Sequence, residues 1–347
     1  MSEPLRIAVI GAGKIAEGSH VPAVLASPDV RLAALVDPEI ERCRRIAARH
    51  GIDPKIAADV REVLGHIDAA IIATPNHTHH AVALACIEAG VHCLIEKPLA
   101  ATVAGGEAIA AAAERQRVVA AVGYSSRFID AVELLGDLIA KDYFGTIHRF
   151  AYQFGTRGGW NPASSYILDR KSIGGGVTVV VGTHFIDWML AWFGFPDEVA
   201  FADDSLGGPE ANAHATLRFA RRDAPLVGTM RLSKTVPLPP GFVMETDRGI
   251  VSFEDKSIAA DVVLRPSDAR DCEMILRKSP APVAASRPTG NFARQLVDFV
   301  AACRTGSPPR VSARQGVESL RLIDALYSVR TPLPEFAPLP RLEEASA

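Results

Sequence analysis

Cysteine is scarce in this chain and forms no recognisable pattern. The five stand at 43, 86, 93, 272 and 303, an odd number with no CxxC pair. A disulfide framework is therefore not expected, and reduced thiols in a cytosolic protein are the simplest reading. No run of about 18 apolar residues is present to span a membrane. The mostly apolar stretch from Val177 to Val181 is too short and is flanked by glycine. The opening Met-Ser-Glu-Pro-Leu-Arg lacks the charged, apolar and cleavage regions of a signal peptide, which points to the cytoplasm. Neither half is strongly basic and the net charge is -3, so nucleic acid is not an expected partner. Internal repeats and long low-complexity segments are also absent.

What is present is an ordinary globular chain. At 347 residues it is too long for one core, and about two domains is the natural expectation. With 48% hydrophobic and 22% charged residues, it can bury a large core without metals or disulfides. The first 120 residues alternate short apolar runs with helix-like segments. Strands are expected at Arg6 to Ile10, Leu32 to Val36, Ala69 to Ala73, Val91 to Ile95 and Val118 to Val122. Helices are expected from Lys14 to Ala26, from Glu39 to His50 with Gly51 as the stop, and from His80 to Ala89 before Gly90. Thr102 can cap another ending near Arg115. This alternation predicts an α/β fold opening with a doubly wound parallel sheet.

The texture then changes. Ile147 to Phe154 reads as a strand, and Gly176 to Phe193 as a helix. From Ala211 to Leu264 strand-like stretches follow one another through Gly, Pro and Asp turns, which predicts a meander in a large, open, mainly antiparallel sheet. An exposed apolar face on such a sheet predicts a homodimer or homotetramer. Phe292 to Arg304 and Ala313 to Tyr327 are amphipathic helices able to return to the first domain. The expected division is a dinucleotide-binding Rossmann domain over 1–125, a substrate and oligomerisation domain over 126–330, and an arm or tail over 331–347.

Gly11-Ala12-Gly13-Lys14-Ile15-Ala16 follows the first strand and opens the first helix. Gly11 allows a tight turn, Gly13 lets the backbone approach a pyrophosphate, and the helix N-terminus attracts the phosphates. Asp37 ends the second strand, where an acid accepts hydrogen bonds from ribose hydroxyls. Its charge would oppose a 2'-phosphate, so NAD(H) is expected over NADP(H). Thr74, Pro75 and Asn76 follow the next strand and are placed beside the ribose and nicotinamide. His77, His79 and His80 crowd there without a Cys or carboxylate at ligand spacing, so no metal site is expected. His77 and His80 read as solvated helix-start residues. Lys97 of Glu96-Lys97-Pro98 sits at a strand's carboxyl end, facing the ligand crevice. His184 follows Gly174-Gly175-Gly176 and shares a helix face with Val180 and Asp187. It can act as an acid or base, or be a core histidine bonded to Asp187.

These motifs, in this order and over nearly the whole chain, resemble the Gfo/Idh/MocA family, the glucose–fructose oxidoreductase and inositol dehydrogenase relatives. The segments that carry the resemblance are GAGKIA, ATPNHTHH, AGVHCLIEKPLA, GGG…GTHFIDWML and the closing NFARQLVDFVAACRTGSPPRVSARQGVESLRLIDALY. It implies an oxidoreductase acting on a sugar, cyclitol or polyol hydroxyl, with Lys97 and His184 catalytic. Lys97 would orient and polarise the oxygen and His184 would exchange the proton. The residues expected at the dinucleotide are Gly11, Gly13, Lys14, Ile15, Asp37, Thr74, Pro75, Asn76, His79, Glu96 and Lys97. The family setting also suggests a cis Lys97-Pro98 bond and an open sheet at the subunit interface. One position departs: Val180 stands where the family usually carries Asp. Tyr124, Arg127, Arg157, Trp160, Tyr166 and Asp169 are candidates to compensate. Arg127, Arg157, Trp160, Tyr166 and Val180 form the expected substrate set. Two rival readings are an NAD-assisted glycoside-cleaving enzyme and a non-catalytic dinucleotide-binding sensor.

Overall fold

Two sheets organise the chain, and the first grows outward from β1 (Leu5–Ile10). β1 pairs in parallel with β2 (Val30–Val36) and β4 (Ala69–Ile72). β3 (Lys55–Ala57) extends one side; β5 (His92–Ile95) and β6 (Ala120–Val122) extend the other. The order is β3-β2-β1-β4-β5-β6. The computed structural model describes residues 3–158, 174–205, 209–221, 225–254, 261–269, 271–278 and 290–333.

Both faces of this sheet are covered, which is why its strands are apolar at nearly every position rather than alternating. Ala8, Ile10 and Ile72 pack on one side with α3 (His79–Glu88) and α4 (Val103–Gln116). Ile7, Val9 and Ile71 pack on the other with α1 (Val21–Leu25) and α2 (Ile40–His50). Gly51 ends α2 in the left-handed conformation, and Thr102 caps α4 by accepting from Gly105 N at 3.1 Å. The helix expected from Lys14 contains a π-helical turn over Ala16–His20. Pro22 follows it and has no N–H for the regular ladder, which favours such a turn.

The second sheet takes β7 (Ile147–Gly155), β8 (Glu198–Asp203), β9 (Asn212–Phe219), β10 (Leu226–Ser233), β11 (Leu238–Thr246), β12 (Gly249–Phe253), β13 (Val262–Pro266), β14 (Met274–Leu276) and β15 (Arg330–Pro332). Its described order is β14-β13-β12-β11-β7-β10-β9-β8-β15. The expected meander is thus interrupted. β7 lies between β10 and β11 and runs parallel to β10. The link from β10 to β11 crosses the end of β7, where Gly155 has no side chain. A Cβ there would fall 2.4 Å from Val236 O. The expected C-terminal arm begins as an edge strand, because Arg330 is fastened to Asp203 Oδ2 through Nε at 2.9 Å.

The inner face of this sheet presents Phe150, Tyr152, Phe242 and Met244 to α6 (Thr183–Phe193), which contributes Phe185 and Trp188. α5 (Asp130–Ala140), a helix not read from the sequence, closes the same core. The opposite face carries Ala151, Val227, Val243, Ile250 and Val263, all only partly buried. Of the last two helices, α7 (Asn291–Thr305) sends Leu296 and Phe299 into the first sheet's core. α8 (Ala313–Ser328) serves both cores: Val317 and Leu320 join the first, Leu322 and Leu326 the second. One rigid helix shared between two cores fixes the cleft between the sheets.

Candidate active site

The carboxyl ends of β2, β1, β4, β5 and β6 lie in that order along one edge of the first sheet. Each end delivers one part of the site: Asp37, the glycine loop, Thr74, Lys97 and then Tyr124. The strand order reverses between β1 and β4, where open parallel sheets bind ligands. A pocket of about 690 Å³ opens there. It is lined by Gly11, Gly13, Lys14, Ile15, Asp37, Thr74 and Pro75 among others.

The glycine loop fits a dinucleotide. Gly11 has φ 95°, and a Cβ on it would lie 2.6 Å from Ala73 O. Gly13 faces open space: among the described residues, apart from its own chain neighbours, nothing lies within 4 Å of where a Cβ would stand. That space leaves room for a group from outside the chain, such as a pyrophosphate. Asp37 is buried, with Oδ2 accepting from Ala12 N and Oδ1 from Glu39 N, both at 2.8 Å. These bonds hold the carboxylate at the pocket wall. Arg42 and Arg61 line the same pocket and were not singled out from sequence. Each is next to an acid: Arg42 lies 2.7 Å from Glu39 Oε1 and Arg61 3.0 Å from Asp59 Oδ2.

Four expected cofactor residues, His79, Asn76, Glu96 and Lys97, lie outside the lining of that pocket. His79 is 1% exposed, with Nδ1 2.9 Å from Pro98 O and Nε2 2.9 Å from Thr74 O. It ties two loops of the site together. Asn76 is buried at the start of a 3-10 turn, Asn76–Thr78, outside the pocket lining. Glu96 faces His20, whose Nε2 is 2.8 Å from Glu96 Oε1, while Glu96 Oε2 accepts from Lys97 N at 3.1 Å. His20 and Lys97 hold the Glu96 carboxyl below its usual range although burial opposes them.

Lys97 follows β5, and its peptide bond to Pro98 is cis. Its Nζ donates to Val180 O at 2.6 Å. Val180 belongs to a π-helical turn, Thr178–Gly182, that leads directly into α6. Its side chain is apolar as expected, yet its carbonyl has a polar role that the sequence did not disclose. Burial lowers the Lys97 pKa; Glu96 opposes this and Lys234 reinforces it. Lys234, just past β10, is itself buried and was not anticipated.

His184 stands on the first turn of α6, with Nδ1 2.9 Å from Ser126 Oγ. Ser126 Oγ also accepts from Trp188 Nε1 at 3.0 Å. Indole N–H only donates, which leaves the serine hydrogen able to donate to His184 Nδ1, the pairing that puts the imidazole proton on Nε2. Burial and the Lys97 charge push His184 down to about 3, so it is neutral at physiological pH. Asp187 is not its partner. Asp187 holds Arg127, through Nε to Oδ2 at 2.6 Å and Nη2 to Oδ1 at 2.9 Å. Burial still pushes Asp187 up to about 6. Arg127, expected at the substrate, is partly buried and ion-paired with Asp187. Tyr124 is fully buried against His184, with ring centroids 6.1 Å apart. Arg157 is exposed on its loop, and Trp160, Tyr166 and Asp169 lie outside the described residues. Among the described residues no three His, Cys, Asp or Glu side chains gather as metal ligands. No helix among them is long and apolar enough to cross a membrane.

Residues 5–124 match the oxidoreductase family with an NAD-binding Rossmann fold, and residues 132–252 match the GFO/IDH/MocA C-terminal domain. The chain belongs to the Gfo/Idh/MocA oxidoreductase family. It is 28% identical over 333 residues to the rhizopine catabolism protein MocA of Rhizobium meliloti, covering 92% of this chain and 93% of that one. It is 21% identical over 349 residues to the scyllo-inositol 2-dehydrogenase (NADP(+)) of Bacillus subtilis, covering 93% of each. Among solved structures, levoglucosan dehydrogenase in complex with NADH and L-sorbose superposes with a TM-score of 0.82 at 22% identity, over 94% of this chain and 96% of that one. Aldose-aldose oxidoreductase from Caulobacter crescentus has the same TM-score and identity, over 94% and 97%. These last two likenesses establish the fold. The family and its site architecture make this Gfo/Idh/MocA protein an oxidoreductase with a dinucleotide-binding Rossmann domain.

Proposed function

We propose that this protein transfers a hydride between NAD(H) and a secondary alcohol or ketone of a sugar, cyclitol or related polyol. The observation that carries the reading is the approach of Lys97, just past β5, to the turn that leads into His184 on α6, close enough for the Lys97 charge to act on the imidazole. Lys97 Nζ rests on Val180 O, one helical turn before His184. Relatives named for inositol and sugar substrates support the substrate class. When bound, the nicotinamide supplies or accepts the hydride. Residues 1–125 hold the dinucleotide, with Asp37 on the ribose hydroxyls and Arg42 and Arg61 offset by Glu39 and Asp59. That arrangement favours NAD over NADP.

The side chains support a division of labour opposite to the one expected from sequence. Lys97 has an ammonium poised by burial, and it holds or releases the proton of the reacting oxygen. His184 is neutral and presents Nε2–H, so it donates a hydrogen bond that orients the same oxygen. The sensor reading is weaker because Val180 O gives Lys97 a fixed seat without an aspartate. Residues 126–330 supply the substrate wall, and the partly buried outer face of the second sheet is the surface on which copies of the chain would associate. All five thiols are free, which fits a reducing cytoplasm. A panel of neutral sugars, cyclitols and polyols with NAD, followed by absorbance of the reduced cofactor, tests the proposal. Activity with none of them by wild type that still binds NADH would overturn it.

A further inference from the structure

We infer that Glu210 is a positioning residue for Lys97, acting through the glycine-rich turn. The inference rests on the catalytic reading of Lys97 above. Glu210 is 1% exposed and lies in the link before β9, far in sequence from the turn it holds. Its Oε2 accepts from Gly176 N at 2.8 Å, and its Oε1 accepts from Thr178 N at 3.0 Å and Tyr327 OH at 2.8 Å. Its backbone oxygen accepts from Val177 N at 2.8 Å. Burial and the Glu210 charge push the Tyr327 phenol far up, so it stays protonated and donates.

The first N–H groups of a helix have no partners within it, and an anion there is favoured by the helix dipole. Such caps ordinarily come from the residue just before the helix. Here a buried carboxylate from another strand link supplies the cap, and two glycines exist to admit it. A Cβ on Gly176 would lie 2.0 Å from Glu210 O, and one on Gly175 would lie 2.0 Å from Tyr327 OH. The clamped segment then runs on, with Val180 N donating to Gly176 O at 3.0 Å, and turns Val180 O toward Lys97 Nζ. With valine at 180, no side chain at that position can hold the lysine. The backbone holds it, and Glu210 with Tyr327 holds the backbone.

The test compares wild type, Glu210→Gln, Tyr327→Phe and Lys97→Ala as full chains. In Glu210→Gln an amide replaces one carboxylate oxygen and meets a backbone N–H donor to donor. For folded protein with wild-type circular dichroism, kcat should fall by about tenfold or more, as for a misplaced catalytic group. NADH affinity and substrate KM should be unchanged. A second readout needs no turnover: the pH dependence of Lys97 acylation by acetic anhydride, followed by mass spectrometry. Its midpoint should move toward acid in Glu210→Gln, because Val180 O no longer favours the ammonium. Wild-type kcat in a folded variant would overturn the inference. So would a fall in kcat with the Lys97 midpoint unmoved, since the damage would then lie elsewhere. If Glu210→Gln does not fold, Tyr327→Phe keeps the carboxylate and reads the same two quantities. Both should move the same way by less, and wild-type values would overturn the inference. Full activity in Lys97→Ala would instead refute the catalytic reading on which it rests. An inactive Lys97→Ala beside a fully active Glu210→Gln would refute this inference alone.

Discussion

Replacing Lys97 by Met keeps most of the side chain's bulk and removes its charge and its donor. The consequence for catalysis follows from the position of Nζ at the end of the cleft. An ammonium about 3 Å from a developing alkoxide, at an effective dielectric of about 20, stabilises it by roughly 5 kcal/mol. Water entering in its place restores part of that. A net loss of about 2.7 kcal/mol, or a hundredfold in turnover, is the expected result. The same change leaves Val180 O without the Lys97 donor, which costs about 1–3 kcal/mol of stability for a carbonyl that stays dry. NADH affinity should not change, because Lys97 does not line the pocket proposed for the adenosine half. Steady-state turnover on the best substrate of the panel, NADH fluorescence titration and urea denaturation measure the three quantities. A folded Lys97→Met with wild-type turnover would refute the mechanism and bring the sensor reading forward.

Other outcomes follow from the same geometry. Alcohol oxidation needs neutral Lys97, so its rate should rise as pH climbs through the lysine's lowered pKa, while ketone reduction falls over the same span. His184 titrates at about 3 and should add no limb near its ordinary 6.5; an inflection there that His184→Asn abolishes would contradict this. His184→Asn should cost turnover less than Lys97→Met, since water can donate in place of Nε2–H. Wild type should bind NADH more tightly than NADPH, and Asp37→Ala should weaken NADH and narrow the gap; tighter wild-type binding of NADPH would show that Arg42 and Arg61 dominate Asp37. Light scattering should give a multiple of 37.0 kDa, as expected if the outer face of the second sheet is covered by another copy. A monomer at micromolar concentration would contradict that.

The cofactor half of the site was legible in the sequence because its parts are local. A strand, a glycine turn and a helix follow one another without a break, and an acid at the next strand end must lie on the same edge of a parallel sheet. Lys97 was legible for the same reason, from its place after β5. The periodicity of the first domain was equally plain, since strands buried on both faces are continuously apolar. What escaped depends on partners distant in the chain. Arg127 pairs with Asp187, 60 residues on, and His79 sits between the carbonyl oxygens of Thr74 and Pro98, neither of which spacing discloses. The insertion of β7 between β10 and β11 could not be read from spacing, because consecutive strands are only usually neighbours. Composition and motif determined that a dinucleotide crevice with a lysine at its end exists. Only the tertiary structure decided how that lysine is held: by a backbone carbonyl, in a turn capped by a glutamate from another strand link. Side-chain patterns record which faces are buried, but a main-chain oxygen is present at every residue, and its use leaves no mark in the sequence.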